Sequence, residues 1–465
     1  MTRSILSYKL YYFLGIGGIG MSALARYFHK HNKKVIGYDK TESILTNQLQ
    51  YEGIECYYQE NIKQLQNRLH SYSKEEILVI YTPAIPNDHQ ELQHFQTQHF
   101  DLLKRAEVLS RIVNPHQCIA VAGTHGKTTT TALITHLFHQ AQQNMIAFVG
   151  GIMTNYNTNF IQSIPHPEKP IYTITEADEY DYSFLHLHPQ TAVITSIDAD
   201  HLDIYQTHEN LIHAYQQFAQ QVSPKGSLIV HKSVDKFFPN HQNLHTFAVN
   251  LNGQIWADNL TFSNNTMQFD LHLKNKTYKA VELGIPGIHN VLNALAAIGV
   301  ARHYNLPMKN IFQALKTFKG VKRRFEYHIK NDKLILIDDY AHHPEEIKTL
   351  LQSVRLLYPS KKITSIFQPH LYSRTRDFMN EFATILASYA DEIILLDIYP
   401  ARESPIPGIT SQTLLNHIQH PHKKLLSKSE LPNYLAHSDH QVILTIGAGD
   451  IDLLIPAIKQ QLGYL

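Results

Sequence analysis

Short apolar runs recur along the chain, and most stop abruptly at glycines or at clusters of charged residues. Leu10 to Leu14 leads into Gly15-Ile-Gly17-Gly18-Ile19-Gly20, and Val35 to Tyr38 stops at Asp39. Such runs, bounded by turn formers, read as buried strands, and the longer mixed stretches between them read as helices. The pattern predicts strands at 10–14, 35–38, 77–81, 118–122, 171–175, 193–197, 334–337, 363–367, 392–396 and 442–446, with helices over 21–31 and 130–140. Strands alternating with helices give an α/β fold with parallel sheets, in which ligands gather at the carboxyl ends of strands.

The segment Gly123-Thr124-His125-Gly126-Lys127-Thr128-Thr129 follows the apolar run Cys118 to Ala122 and opens a helix. Glycines let backbone amides approach phosphate oxygens, and the helix points its positive end at them. Lys127 is placed for the β/γ-phosphates and the Thr128 hydroxyl for Mg²⁺. The usual phosphate loop has four residues between its glycines, whereas only Thr124 and His125 separate Gly123 from Gly126. The loop is a shortened variant. An ordinary turn would leave Lys127, a cation opposing the helix macrodipole, without a purpose.

At the N-terminus, G-x-G-x-x-G lies between strand and helix, with Asp39 about 20 residues on. It predicts a pyrophosphate on a helix N-terminus with a ribose nearby, and fits a dinucleotide cofactor or a nucleotide-linked substrate equally. Two further strands end in acids, at Glu176-Ala-Asp178-Glu179-Tyr-Asp181 and Asp198-Ala-Asp200-His201-Leu-Asp203. Carboxylates near a phosphate loop suit Mg²⁺, which takes a few of them together with substrate phosphates. His201 reads equally as a metal ligand or a helix cap. Asn290 and Asn293 share a helical face and read either as a cap or as a grip on a base edge or ribose. The last segment opens around Arg323-Arg324 and places Asp338-Asp339-Tyr-Ala-His342-His343, His370, Arg374 and Arg402 after strands.

Composition narrows the function. The net charge of +1 gives no bulk electrostatic case for nucleic acid or a membrane surface. No apolar run reaches a membrane-spanning length of about 18 residues. The only cysteines, Cys56 and Cys118, sit in strand-like contexts, which argues for a reducing cytoplasm rather than a disulfide framework. Most of the 31 histidines lie in polar stretches and read as surface residues.

The ordered set of motifs resembles the Mur ligase family over nearly the full length. It comprises Gly15-Ile-Gly-Gly-Ile-Gly-Met-Ser22, Gly123 to Thr129, Glu176 to Asp181, Asp200-His-Leu-Asp203, His289-Asn-Val-Leu-Asn293, Arg323-Arg-Phe325, Asp338 to Pro344 and Phe367-Gln-Pro-His370. The resemblance implies three domains. A Rossmann-like domain over 1–108 would hold the UDP moiety, a P-loop ATPase-like domain over 109–320 would hold ATP, and a Rossmann-like domain over 321–465 would close on them. The activity it implies joins an amino acid, here L-alanine, to the lactyl carboxylate of UDP-N-acetylmuramate through an acyl phosphate. ATP and Mg²⁺ serve as cofactors, in peptidoglycan synthesis. By the same resemblance Lys127 binds the β/γ-phosphates, and Thr128, Glu176 and His201 hold metal. Asn290 and Asn293 contact adenine, while Arg324 and Asp339 reach the γ-phosphate and the ribose. His342, His343, His370 and Arg374 receive the amino acid. Gly15, Gly17, Gly18, Ile19, Gly20, Asp39, Thr82 and Ala84 line the UDP site, and His125 faces the muramyl substrate. A cytoplasmic monomer or weak homodimer is expected.

Two features depart from the family pattern. Ala23 replaces a glycine, and Thr82-Pro83-Ala84 stands where many relatives carry Ser-Ser-Ala. No lysine suited to carbamylation follows Asp203, Lys225 lying just before a glycine and a strand. A ligase attaching an intact tripeptide to the same sugar nucleotide is the nearest rival. A folate-polyglutamating ligase would lack the residues before Gly123. An NAD-dependent oxidoreductase would explain Gly15 to Gly20 and Asp39 but leave Lys127 and Glu176 idle, and the complete set of metal and phosphate groups argues against a non-catalytic nucleotide-binding regulator.

Overall fold

The computed structural model describes residues 3–164, 166–199, 202–263, 266–401 and 403–464, with side chains for all of these except 202, 203 and 263. Three sheets organise the chain. The first is five-stranded and parallel, in the order Glu55–Tyr57, Lys34–Tyr38, Leu10–Leu14, Ile77–Tyr81, Asp101–Lys104. Its central strand, Leu10–Leu14, is buried at every position. Helices on both faces of a parallel sheet demand this, so the strand reads as an unbroken apolar run. The order reverses beside Leu10–Leu14, and the Gly15–Gly20 turn leaves from that point, where such sheets bind ligands.

The second sheet runs Lys276–Leu283, Thr266–Leu273, Ile255–Ser263, Leu244–Val249, Ser227–His231, Thr191–Ile194, Gln117–Ala122, Tyr172–Glu176, Met145–Met153, Thr158–Gln162. Gln117–Ala122 lies between Thr191–Ile194 and Tyr172–Glu176, parallel to both. The phosphate loop and the acid-bearing strand ends therefore emerge on one edge. One apolar cluster, including Tyr11, Phe28, Phe148, Phe184 and Phe218, runs through the first and second sheets.

The third sheet has the order Glu326–Lys330, Ile335–Asp339, Val442–Ile446, Ile363–Phe367, Glu392–Leu395, Lys423–Leu425. Its first pair is antiparallel and the others are parallel. By contact density the chain divides into two compact units. One comprises 1–258, 270–281 and 292–318, and the other 259–269, 282–291 and 319–465.

The strand expected over 193–197 ends at Ile194. Thr195 N still donates to Ala122 O, while the side chains of Thr195 and Ser196 serve the phosphate loop, and Ile197 is buried outside the sheet. The first helix starts at Ile19 and the one after the phosphate loop at Lys127, each earlier than its apolar pattern indicates. Among the described residues no helix is long and apolar enough to cross a membrane.

Candidate active site

The turn after Gln117–Ala122 is built for close approach to its ligand. Gly123 sits at φ +128° and Gly126 at φ +80°, and Gly126 caps the Lys127–Gln140 helix. Neighbouring strand ends fasten the loop. Thr124 N donates to Ser196 O at 3.2 Å and His125 N to Ser196 Oγ at 3.1 Å. The Thr124 hydroxyl bonds the backbone of Asp198, and the Thr195 hydroxyl bonds His125 O. His125 Nε2 lies 3.6 Å from Asp198 Oδ2. A Cβ on Gly123 would meet the backbone nitrogens of Thr195 and Ser196 at 2.8 and 2.9 Å. Gly123→Ala is therefore expected to destabilise the chain by about 2 kcal/mol and to weaken ADP binding at least about tenfold. Urea melts and nucleotide titration would check both.

Lys127 Nζ donates to Gly123 O at 2.7 Å, Thr124 O at 3.3 Å and Glu179 Oε1 at 2.8 Å. Burial opposes its charge, but Glu179, Asp178 and Glu176 outweigh burial and raise its pKa. Thr128 Oγ1 donates to Glu176 Oε2 at 3.2 Å, and Gly150 N donates to Glu176 Oε1 at 2.6 Å. A hydroxyl and a carboxylate are thus brought together at the start of the helix, an oxygen set of the kind Mg²⁺ takes. Thr129 is buried in the same turn. Asn293 packs against Gly126, and Thr130 Oγ1 donates to Asn293 Oδ1 at 3.1 Å. Asn290 lies in the other compact unit, where its Nδ2 donates to Pro286 O at 2.6 Å. Asp200 and His201 lie outside the described residues.

The first glycine-rich turn is held by Tyr38 and Asp39. Gly15 N and Ile16 N donate to Tyr38 O, and Gly17 N donates to Asp39 Oδ2 at 2.7 Å. Gly18 is the cap residue of the Ile19–Lys30 helix and, being a glycine, offers no side-chain cap hydrogen bond. Gly20 lies in the helix's first turn, beside Arg105. Thr82 stands against Gly15, and Ala84 N donates to Thr82 Oγ1 at 3.4 Å.

In the second unit, Asp339 accepts from Phe325 N at 2.7 Å and from Ala341 N at 2.8 Å. Burial pushes its pKa up to about 6, against the pull of Arg324. Arg324 lies 4.9 Å above the Tyr340 ring and 4.0 Å from Glu346 Oε1. His342 and His370 face each other at 5.9 Å between ring centroids. Burial lowers their pKa values to about 4 and about 3, and Arg374 adds to both shifts. Both imidazoles are neutral near pH 7. His343 caps the Pro344–Leu357 helix and packs on Phe378.

The sequence offers Glu179 within an acidic cluster suited to metal but not as the partner of Lys127, and it singles out neither Arg105 nor Asn159. Glu179 is buried against Lys127. Arg105 pairs with Asp178. Asn159 accepts from Arg26 and donates to Ile19 O and Ser22 Oγ, tying the second sheet to the first helix. A signal existed for Arg105: like Lys127, it is a cation in the first turn of a helix.

These sheets and this loop define a multidomain α/β protein whose central sheet carries a P-loop-type phosphate-binding turn. Family models match three successive segments: "Mur ligase family, catalytic domain" over 10–117, "Mur ligase middle domain" over 121–301, and "Mur ligase, glutamate ligase domain" over 323–449. The chain belongs to the Mur ligase family. It is 46% identical to a UDP-N-acetylmuramate–L-alanine ligase of Flavobacterium johnsoniae, over 97% of each chain. The corresponding ligase of Flavobacterium psychrophilum is 47% identical over the same shares. A solved structure of the UDP-N-acetylmuramate–alanine ligase from Thermotoga maritima matches with a TM-score of 0.81 and 26% identity, covering 97% of this chain and 99% of that one. A murein peptide ligase from Psychrobacter arcticus shares the fold, with a TM-score of 0.71 and 22% identity over 98% of this chain and 99% of that one.

Proposed function

We propose that the chain ligates L-alanine to the lactyl carboxylate of UDP-N-acetylmuramate, converting ATP to ADP and phosphate, in the cytoplasmic stage of peptidoglycan synthesis. The supporting observation in the fold is the Thr128–Glu176 contact at 3.2 Å, directly after Lys127 on one helix. Full-length identity to two ligases of that name supports the substrates.

In this reading the sugar nucleotide's carboxylate attacks the γ-phosphorus of ATP. The products are an acyl phosphate and ADP. The alanine amine then adds to the acyl carbon, and the tetrahedral intermediate expels phosphate. An anion attacking a polyanion needs positioning and charge neutralisation more than a covalent nucleophile. Lys127 exchanges Glu179 for the β/γ-phosphates, and the first-turn amides of the Lys127–Gln140 helix would cradle them. Thr128 and Glu176 would hold Mg²⁺, which supplies neutralisation of the phosphate charge. Arg324 would meet the γ-phosphate, Asp339 the ribose, and Asn290 and Asn293 the adenine. Neutral His342 and His370 can accept hydrogen bonds from the incoming amine, and Arg374 is suited to its carboxylate. Gly15 to Gly20, Asp39, Thr82 and Ala84 would take the UDP portion.

The test is phosphate release by the purified protein with ATP, Mg²⁺ and UDP-N-acetylmuramate, adding either L-alanine or the tripeptide L-Ala-γ-D-Glu-meso-diaminopimelate. Release that requires both the sugar nucleotide and L-alanine is expected. Release with the tripeptide alone would move the chain to cell-wall recycling, and none with either would remove the substrate assignment.

A further inference from the structure

Lys104 and Arg105 stand at the N-terminus of the Arg105–Val113 helix, with Lys104 as its cap residue. Cations at that end oppose the macrodipole, so other groups must hold them there. Two carboxylates of the Glu176–Asp181 segment do part of this. Arg105 Nη2 donates to Asp178 Oδ2 at 2.9 Å, and Lys104 Nζ to Asp181 Oδ2 at 3.4 Å. Partial burial works against the Asp178 charge, but Arg105 and then Lys127 outweigh it and hold its pKa low.

The other guanidinium nitrogen faces the glycine-rich turn. A Cβ on Gly20 would stand 2.8 Å from Arg105 Nη1. Gly20 belongs to the first turn of the Ile19–Lys30 helix, which contains no acid and whose cap makes no side-chain hydrogen bond. Two helix N-termini and an arginine thus converge beside Gly20, all of positive sign. Asp178 neutralises one edge of the guanidinium, and the edge toward Gly20 is left for an anion. The Arg105 side chain is about a quarter exposed, within reach of such a ligand.

We propose that Arg105 is a ligand of the diphosphate of the sugar nucleotide, held in place for it by Asp178. The identity of that anion rests on the proposed function. Asp178 and the arriving diphosphate share one guanidinium, so the carboxylate orients the side chain while competing for it.

Calorimetric titration of the full chain with UDP and with uridine tests this, in the wild type and in the Arg105→Ala, Arg105→Lys and Asp178→Asn variants. A charge-assisted hydrogen bond is worth roughly 1.5–3 kcal/mol, or about 10- to 100-fold in affinity. Arg105→Ala is expected to weaken UDP binding to that extent and to leave uridine within about twofold. Arg105→Lys should recover part of the loss, since a point charge replaces the fork. Asp178→Asn should tighten UDP binding several-fold by removing the competitor. Equal melting-temperature losses in the Arg105 and Asp178 variants, with UDP affinity unchanged, would overturn the proposal and leave the pair as a strut between two sheets. If Arg105→Ala does not fold, Arg105→Lys and Asp178→Asn carry the same contrast. If the wild type binds no UDP, the sugar-nucleotide reading falls. Inorganic pyrophosphate titrated into wild type and Arg105→Lys then decides separately whether Arg105 is an anion ligand.

Discussion

Lys127→Ala is expected to lower phosphate-releasing turnover by about 10³-fold, the scale on which a preorganised charge acts in phosphoryl transfer. The same substitution should cost stability. Glu179 is 1% exposed, and its Oε1 accepts from Lys127 Nζ at 2.8 Å. Removing one partner of a buried pair typically costs about 3 kcal/mol, because the remaining charge stays desolvated. The two effects separate in the Lys127→Ala/Glu179→Gln double variant. Neutralising Glu179 should restore most of the stability, read by urea melts, and none of the turnover. Recovery of turnover in the double variant would show that Lys127 serves the loop's structure and not the phosphates.

The sequence shows the phosphate loop and an acidic cluster near it but not which acid pairs with Lys127, and the reason is distance along the chain. Gly123 to Thr129 is one contiguous strand–loop–helix, legible from local residue types. The pairs that give it electrostatic context join residues 52 positions apart, for Lys127–Glu179, and 73 apart, for Arg105–Asp178. Only the parallel pairing of Gln117–Ala122 with Tyr172–Glu176 brings them together. The same contrast holds for strands. The expected strands 10–14, 77–81, 363–367 and 442–446 coincide with those observed, and central burial explains their unbroken apolar runs. Edge strands such as Glu55–Tyr57 and Asp101–Lys104 escape notice because they are short and partly polar. Over 193–197 the pattern misleads, since Thr195 and Ser196, though Thr195 still bonds Ala122 O, turn their side chains to the phosphate loop.

Arg323→Ala is expected to destabilise the chain by an amount that grows with pH. The turn it occupies holds two left-handed residues other than glycine, Arg323 at φ 59° and Phe325 at φ 53°. Each costs on the order of 1 kcal/mol unless its surroundings fix it. Three hydrogen bonds fix these two: Arg323 N to Glu326 Oε2 at 2.8 Å, Tyr340 N to Arg323 O at 2.8 Å, and Phe325 N to Asp339 Oδ2 at 2.7 Å. The Arg323 side chain adds Nη2 to Gly447 O at 2.7 Å, with Nη1 3.1 Å from Asp452 Oδ1 and Nε 3.4 Å from Asp338 Oδ2. Glu326, His328 and Asp338 each turn a ligand atom within 4.8 Å of the others, and Arg323 is the cation this cluster already has. Burial pushes Asp338 up to about 7 from its ordinary 3.8, against the pull of Arg323 and a hydrogen bond from Thr445. Between about pH 4 and 7 the folded chain therefore keeps a proton that the unfolded chain has lost, and stability falls as pH rises. Above that window both states are ionised and the effect is flat. Without Arg323 the folded pKa moves higher still, and the decline continues past pH 7. The loss in urea melts should be about 1 kcal/mol at pH 6 and about 3 kcal/mol at pH 8.5. Asp339, pushed to about 6, and Asp452, also raised, titrate in the same direction. The Asp338→Asn variant, alone and combined with Arg323→Ala, isolates the pair by a double-mutant cycle. A loss independent of pH would remove Asp338 as the partner. Because Arg324 lies between the two strained residues, the same variant should also lose turnover at pH 6, where the ionic cost is small.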